Sequence, residues 1–128
     1  MDILSMDEKL LNLYNIFYQG QFEKAIEYDT NELTEDSKLV ARVLQLRAQI
    51  ALGNLDEVID EVHQKIEPEF IALRALAKIL KRNEAEALST VESLGAVKGI
   101  ALILVATTLQ IAGKSEEALS MLADHQGD

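Results

Sequence analysis

The residues that could do chemistry in this 128-residue chain are two histidines, an acidic segment and a set of regularly spaced carboxylates. His63 and His125 stand far apart, and neither has a second histidine or a cysteine at the spacing of metal ligands. His125 lies close to Asp124 and Asp128, an arrangement that is more typical of a solvated helix end than of a metal site. We therefore predict that the chain has no metal centre.

Catalytic and nucleotide-binding patterns are also missing. The acidic segment DTNELTED, residues 29–36, lacks the ladder of oxygen ligands and the central glycine of a calcium loop. The sequence contains no G-x-S-x-G, P-loop or G-x-G-x-x-G pattern. Paired carboxylates for acid–base catalysis could still meet in space. The regularly spaced acids, however, have a structural role, because the helix dipole favours an acid in the first turn of a helix. The prediction is a chain that is not an enzyme and binds no cofactor.

Composition narrows the class of partner. Twenty-two acidic against twelve basic residues give a formal net charge of −10, whereas a nucleic-acid surface needs clustered Lys and Arg. We therefore predict no nucleic-acid partner, and the same charge disfavours anionic membranes. The absence of cysteine fits a reducing compartment, which favours a cytoplasmic location.

No segment has the pattern of a signal peptide or a membrane span. The first ten residues, MDILSMDEKL, lack the basic and long apolar regions of a secretory signal. The uncharged segment GIALILVATTLQIAG, residues 99–113, is shorter than the roughly twenty residues that cross a bilayer. Direct membrane insertion is not expected.

The helices that must position any functional side chain are predicted from a pattern that repeats along the sequence. Four stretches, GQFEKAIEY, GNLDEVIDE, NEAEALSTV and GKSEEALSM, begin at turn residues Gly20, Gly53, Asn83 and Gly113 with spacings of 33, 30 and 30. Such a period is typical of stacked helical hairpins. Gly and Asn at the turn tolerate the left-handed backbone that ends a first helix. An acid follows three positions later, and a small or medium apolar residue follows five positions later, at Ala25, Val58, Leu88 and Ala118.

The pattern predicts an all-α fold, a right-handed superhelix of about four tetratricopeptide-like hairpins in one domain, residues 1–128. The four repeats lie near 6–31, 36–66, 69–94 and 97–123. First helices are expected near 6–18, 36–52, 69–82 and 97–112, and second helices near 22–31, 55–66, 84–94 and 115–123. Ser5 and Glu8 resemble a capping box, and Pro68 can begin the third hairpin. Leu119 and Leu122 lack a capping helix, which favours an array truncated at its C-terminus over one whose end a partner covers.

The uncharged helix raises the question of what surrounds it, since a helix that is apolar on all sides must be covered. In a stack of hairpins, the first helices leave only a strip on the concave side, and we expect a protein partner to cover that strip. The predicted partner-binding residues are Leu10, Tyr14, Phe17, Val40, Val43, Ile50, Phe70, Leu73, Leu80, Ile100, Ile103 and Ile111. Taken singly, each is more often a core residue. A polar stripe in the second repeat, Lys38, Arg42, Gln45 and Gln49, is expected to be exposed.

Two resemblances emerge from the motifs. FYQGQFEKAIEY, residues 17–28, resembles the tetratricopeptide repeat, with Gly20, Phe22, Ala25, Ile26 and Tyr28 on its preferred positions. The ordered set NIFYQGQFEKAI, RAQIALGNLDEVIDEV, EPEFIALRALAKIL and HQGD resembles the N-terminal part of the epsilon subunit family of coatomer, the coat of COPI vesicles. The sequence departs from the tetratricopeptide pattern where Asn83 replaces a turn glycine and where Leu55 and Ala85 replace a large aromatic residue.

The coatomer resemblance implies a non-enzymatic subunit of a hetero-oligomeric coat. Such a subunit would bind and stabilise the C-terminal region of the coatomer alpha subunit, and it would lie peripherally on Golgi and COPI vesicle membranes during transport between Golgi and endoplasmic reticulum. One alternative is a tetratricopeptide adaptor that docks chaperone tails, although such adaptors use Lys, Arg and Asn to clamp a terminal carboxylate. Another alternative is a subunit or fragment of a helical enzyme.

Overall fold

The computed structural model describes residues 7–124, and in that range the chain forms eight α-helices. The helices are α1 (Glu8–Tyr18), α2 (Phe22–Glu27), α3 (Glu35–Ala51), α4 (Leu55–Val62), α5 (Pro68–Leu80), α6 (Glu84–Leu94), α7 (Gly99–Ile111) and α8 (Ser115–Asp124). Each lies where the sequence pattern predicts a helix, so the all-α class is confirmed. The right-handed superhelix and the single domain stay predictions.

The first helix begins under a different cap from the predicted one. Glu8 is the first residue of α1, and the carboxylate of Asp7 accepts a hydrogen bond of 2.8 Å from the backbone N–H of Lys9. An acidic N-cap satisfies a free N–H and interacts favourably with the helix dipole. Ser5, the predicted cap, and the terminal HQGD motif with His125 lie outside the described residues.

Contacts divide the chain into two compact units, one ending at Asn54 and one starting at Leu55. In the first unit, α1, α2 and α3 pack on one another. The core of this unit consists of Leu10, Leu13, Phe17, Ala25, Leu33, Ala41, Leu44 and Ala48. Spacing of three or four residues puts the α1 and α3 members on one face of each helix, which is why these helices pair.

Gln45 of α3 explains why α2 is four residues shorter than predicted. Its side chain is buried, and its amide nitrogen donates to the carbonyl oxygens of Ala25, Ile26 and Tyr28 at 3.1, 3.2 and 3.1 Å. Helix carbonyls at a C-terminus have no partner within their own helix, so one amide satisfies the end of α2. The expectation that Gln45 is exposed is wrong.

Arg74 of α5 satisfies the last carbonyls of α4 in the same way, and α4 also ends four residues earlier than predicted. Its guanidinium donates to the carbonyl oxygens of His63 at 2.9 Å and of Val62 at 3.5 Å. Glu67 is extended, with φ −66° and ψ 134°, as expected for a residue that precedes proline. Pro68 then occupies the first turn of α5, as predicted.

The second unit is built around α5, which packs against α4, α6 and α7. A long apolar face of α5 is buried, comprising Phe70, Ala72, Leu73, Ala75, Leu76, Ala77 and Ile79. The helix α7 packs in turn against α5, α6 and α8. Alanine at several of these positions allows the helix axes to approach closely.

All four helix pairs are joined by the same C-terminal turn. After α1, the N–H of Gln21 bonds to the carbonyl of Ile16 at 3.1 Å, and the N–H of Gly20 bonds to that of Phe17 at 3.0 Å. This is the Schellman arrangement, in which the first residue past the cap has positive φ. Its positive-φ residues are Gly20, Gly53, Arg82 and Gly113.

The third turn corrects the predicted register by one residue. Arg82, with φ +66°, takes the left-handed position that the sequence pattern assigns to Asn83. The buried residue five positions after this turn residue is accordingly Ala87, not Leu88. With this correction the residues five positions after the four turns are Ala25, Val58, Ala87 and Ala118, and all four side chains are completely buried. Small residues at this position are what close packing of the second helix requires.

We expect Arg82→Gly to raise the free energy of unfolding by about 0.5–1 kcal/mol. A side chain in the left-handed region is strained by about 1–2 kcal/mol, and the greater entropy of unfolded glycine offsets part of the relief. Gly113→Ala, at the equivalent turn, should lower the unfolding free energy by about 1 kcal/mol. Urea unfolding followed by circular dichroism measures both, and a loss of stability in Arg82→Gly would contradict the assignment of the turn.

Candidate partner-binding surface

The uncharged helix α7 is covered over most of its circumference. Its buried residues are Ala101, Leu102, Leu104, Val105, Ala106, Thr108 and Leu109. The hydroxyls of Thr107 and Thr108 donate to the carbonyls of Ile103 and Leu104 within the helix, each at 2.9 Å. Both hydroxyl donors are therefore paired within the helix itself.

Five residues of the predicted strip are core residues instead. Leu10, Val43 and Leu73 are completely buried, and Phe17 and Phe70 are nearly so. Leu10 and Phe17 belong to the core of the first unit. Packing within the chain leaves these five side chains little or no surface for a partner, so the candidate surface is sought among the other residues of the strip.

Four other residues of the strip are half-buried. Tyr14 and Val40 pack against the core of the first unit. The ring of Tyr14 also lies 4.4 Å, centroid to centroid, from that of Tyr18. Ile50 and Ile100 keep part of their surface in solvent. These residues can border a contact, but packing within the chain accounts for most of their apolar area.

The remaining three residues of the strip are exposed. Leu80 has 40% of its surface in solvent, Ile103 has 53% and Ile111 has 46%. Leu80 and Ile111 line one depression of about 500 Å³ between the ends of α5 and α7, together with Ile79, Arg82, Glu84 and Ala112. Exposed large apolar side chains that line one depression make it a candidate surface for contact with another molecule. We call Leu80 and Ile111 the apolar pair.

Tyr18 is an exposed aromatic residue that sequence reasoning did not select. It is the last residue of α1, as Leu80 and Ile111 are the last residues of α5 and α7, so the shared position was a usable signal. Its hydroxyl accepts a hydrogen bond of 3.2 Å from the guanidinium of Arg47, which also lies 4.8 Å above the ring of Phe17. Arg47 is thus held over Phe17 by a cation–π contact, and its hydrogen bond positions the exposed ring of Tyr18.

What the depression could offer a partner is shape and apolar area. Across residues 7–124, no three His, Asp or Glu side chains are grouped closely enough to hold a metal ion. The helices described in that range are too short or too polar to cross a membrane. Around the apolar pair, Arg82 and Glu84 supply one charge of each sign, which suits a partner that is largely apolar with few charges.

Comparison with known proteins agrees with the coatomer resemblance. The family profile described as coatomer epsilon subunit matches residues 6–127. The chain is also 27% identical over 124 residues to a protein of Schizosaccharomyces pombe named "Probable coatomer subunit epsilon". That alignment covers 93% of the chain and 43% of the relative, so the chain spans less than half the length of this relative. No solved structure gives a significant match. The family profile covers nearly the whole sequence, and the chain therefore belongs to the coatomer epsilon subunit family.

Proposed function

We propose that this chain is a non-enzymatic scaffold of the COPI coat that binds the C-terminal region of the coatomer alpha subunit. The observation that carries the proposal is the apolar pair, Leu80 and Ile111, exposed on one side of α5 and α7 in a chain of the epsilon family. In this role the chain acts in the cytoplasm, in a hetero-oligomeric coat on Golgi and vesicle membranes. Family membership does not favour the chaperone-tail adaptor.

The chemistry of the surface supports an apolar partner segment. Burying both side chains would remove apolar area from water, which would stabilise the complex by about 25 cal/mol for each Å² that is buried. Of the described residues that line the depression, Arg82 supplies the positive charge and Glu84 stands beside it, so an acidic tail would find little charge complementarity there. An amphipathic helix or an extended apolar segment fits better, because its anchors can be spaced to reach both leucine and isoleucine.

We expect Leu80→Asp and Ile111→Asp each to weaken binding to the C-terminal region of the alpha subunit at least tenfold. A charge buried without a partner at the centre of a contact costs more than the about 1.4 kcal/mol that corresponds to a factor of ten. Isothermal titration of the purified chain with that region measures the change, and circular dichroism verifies the helix content of each variant.

Ile103→Asp is the matched control, because Ile103 lies on the same helix and is exposed to a similar extent but does not line the depression. Its affinity should stay within about twofold of the wild-type value. If Ile103→Asp abolished binding while Ile111→Asp left it intact, the assignment of the surface would be wrong.

A further inference from the structure

Arg47 of α3 is a half-buried cation that no acid of the described chain neutralises. Its guanidinium lies 4.8 Å from the ring centre of Phe17 and 5.8 Å from that of Tyr18. Within residues 7–124, no aspartate or glutamate forms an ion pair with it. Acids outnumber bases by twenty-two to twelve in this chain, so a half-buried arginine without an acidic partner is a feature of this position.

The position of Arg47 is neutral in the other three repeats. The residues six and two positions before each left-handed turn residue lie about one helical turn apart on one face of the first helix. Arg47 is the one charged residue among those at these two positions, which are Tyr14, Tyr18, Arg47, Ala51, Leu76, Leu80, Thr107 and Ile111. The helical hairpin therefore does not require a charge at this position.

Hydrogen-bond donors of two side chains meet at this point. One N–H of the Arg47 guanidinium donates to the hydroxyl of Tyr18 at 3.2 Å, which leaves the proton of that hydroxyl and the other guanidinium N–H groups for a ligand. The cation–π contact with Phe17 and this hydrogen bond hold the guanidinium in place, so it loses less conformational entropy on binding. Tyr18 keeps 55% of its surface in solvent, and its ring can cover an apolar group beside the bound acceptor.

We infer that Arg47 and Tyr18, which we call the Arg–Tyr site, bind the side-chain carboxylate of an acidic residue in a partner protein. A guanidinium presents parallel N–H donors whose spacing matches the two oxygens of a carboxylate. The hydroxyl of Tyr18 adds a donor beside them. An apolar side chain next to the acidic residue of the partner packs on the exposed ring of Tyr18.

Other anionic groups fit the Arg–Tyr site less well. Phosphorylated peptides are recognised by clusters of arginines, whereas Arg47 is the one described cation that stacks on the rings of Phe17 and Tyr18. A terminal carboxylate is captured by free backbone N–H groups. Tyr18 ends α1, and the N–H groups of the next three residues, 19–21, already bond to carbonyls of that helix. A side-chain carboxylate needs only the side-chain donors that this site presents.

The test is an NMR titration of the isotope-labelled chain with two capped peptides, acetyl-Leu-Glu-Leu-amide and acetyl-Leu-Gln-Leu-amide, whose central side chains have nearly the same shape. We expect the acidic peptide to bind at least about fivefold more tightly and to shift the Nε–H signal of Arg47 and the amide signal of Tyr18, because hydrogen bonds between charged groups are the stronger ones. Arg47→Gln should remove the preference. Arg47→Lys should keep part of it, because lysine retains the charge without the planar fork.

Lys24→Gln is the matched control for the loss of one positive charge. Lys24 also belongs to the first unit, but it is exposed on α2 and, within the described residues, stacks on no aromatic ring. The ratio of the two peptide affinities should stay within about twofold of the wild-type ratio. Circular dichroism verifies the helix content of each variant.

Three results would overturn the inference. One is equal affinity of the wild-type chain for the two peptides, or no shift at Arg47 and Tyr18 with a large excess of the acidic one. Another is an Arg47→Gln variant that keeps the preference. The third is tighter, Arg47-dependent binding of acetyl-Leu-Gln-Leu with a free C-terminus, or of a phosphoserine peptide, because the ligand would then be a chain end or a phosphoryl group. The proposed binding of the alpha subunit uses the apolar pair, and its failure would leave these measurements unaffected.

Discussion

Gln45→Glu should lower the free energy of unfolding by about 2–4 kcal/mol, although the two side chains have nearly the same size and shape. The change leaves no cavity, so any effect comes from hydrogen bonding and charge. The amide nitrogen that donates to the carbonyls of Ala25, Ile26 and Tyr28 becomes a carboxylate oxygen that repels them. Arg42, which donates to the side-chain oxygen of Gln45 at 3.2 Å, can still pair with the carboxylate and limits the loss.

Gln49→Glu is the control for this prediction, since it makes the same substitution one turn later on α3. The side-chain oxygen of Gln49 accepts a hydrogen bond of 2.6 Å from the side-chain nitrogen of Asn54, and a carboxylate keeps that acceptor. Urea unfolding should therefore show a change below about 0.5 kcal/mol. Equal effects of the two substitutions would show that Gln45 does not cap α2.

Leu73→Ala should lower the free energy of unfolding by about 2–5 kcal/mol, the range for truncating a fully buried leucine. Leu73 is completely buried on α5, at the centre of the second unit. Removing three carbon atoms takes away burial and leaves space that rigid helix packing closes only in part. Thermal or urea unfolding with a two-state analysis measures the loss.

Ile111→Ala is the control for Leu73→Ala, because both residues belong to the predicted strip but only Leu73 lies in the core. Its side chain is nearly half exposed, so truncation should change stability by less than about 0.5 kcal/mol. If Leu73→Ala were as mild as Ile111→Ala, the assignment of Leu73 to the core would be wrong.

The helices themselves were predictable because each depends on local signals. The period of the turns, the acids in the first turns and Pro68 all act within a few residues, and every predicted helix is present in the described range. The ends of α2 and α4 were not predictable, because side chains from the following helices, Gln45 and Arg74, satisfy their last carbonyls. A hydrogen bond between residues 20 positions apart leaves no local pattern.

The third turn shows where residue preference misleads. Asn is far more common than Arg at positive φ, so the sequence pattern selects Asn83. The four turns share their hydrogen bonds, however, and that geometry requires Arg82 at the left-handed position. Fold geometry has overridden the preference of a single residue.

The candidate surface was predictable only in part. The first helices carry apolar residues on several faces, and sequence periodicity does not tell which face packs inside the chain. Leu10, Val43 and Leu73 are buried, whereas Leu80 and Ile111 are exposed, because packing of neighbouring helices covers the first three. Tyr18, Leu80 and Ile111 each end a first helix two positions before the left-handed turn residue, so the turn pattern was a signal for them, and only the third turn was misplaced by one residue.

The most direct test of the account is an NMR titration of the isotope-labelled chain, whose 14.2 kDa mass suits the method, with the C-terminal region of a coatomer alpha subunit. We expect that amide signals near Leu80 and Ile111 shift together and saturate at one equivalent, while signals near Leu119 stay in place. The absence of shifts at saturating concentrations, or shifts confined to α8, would contradict the proposed function.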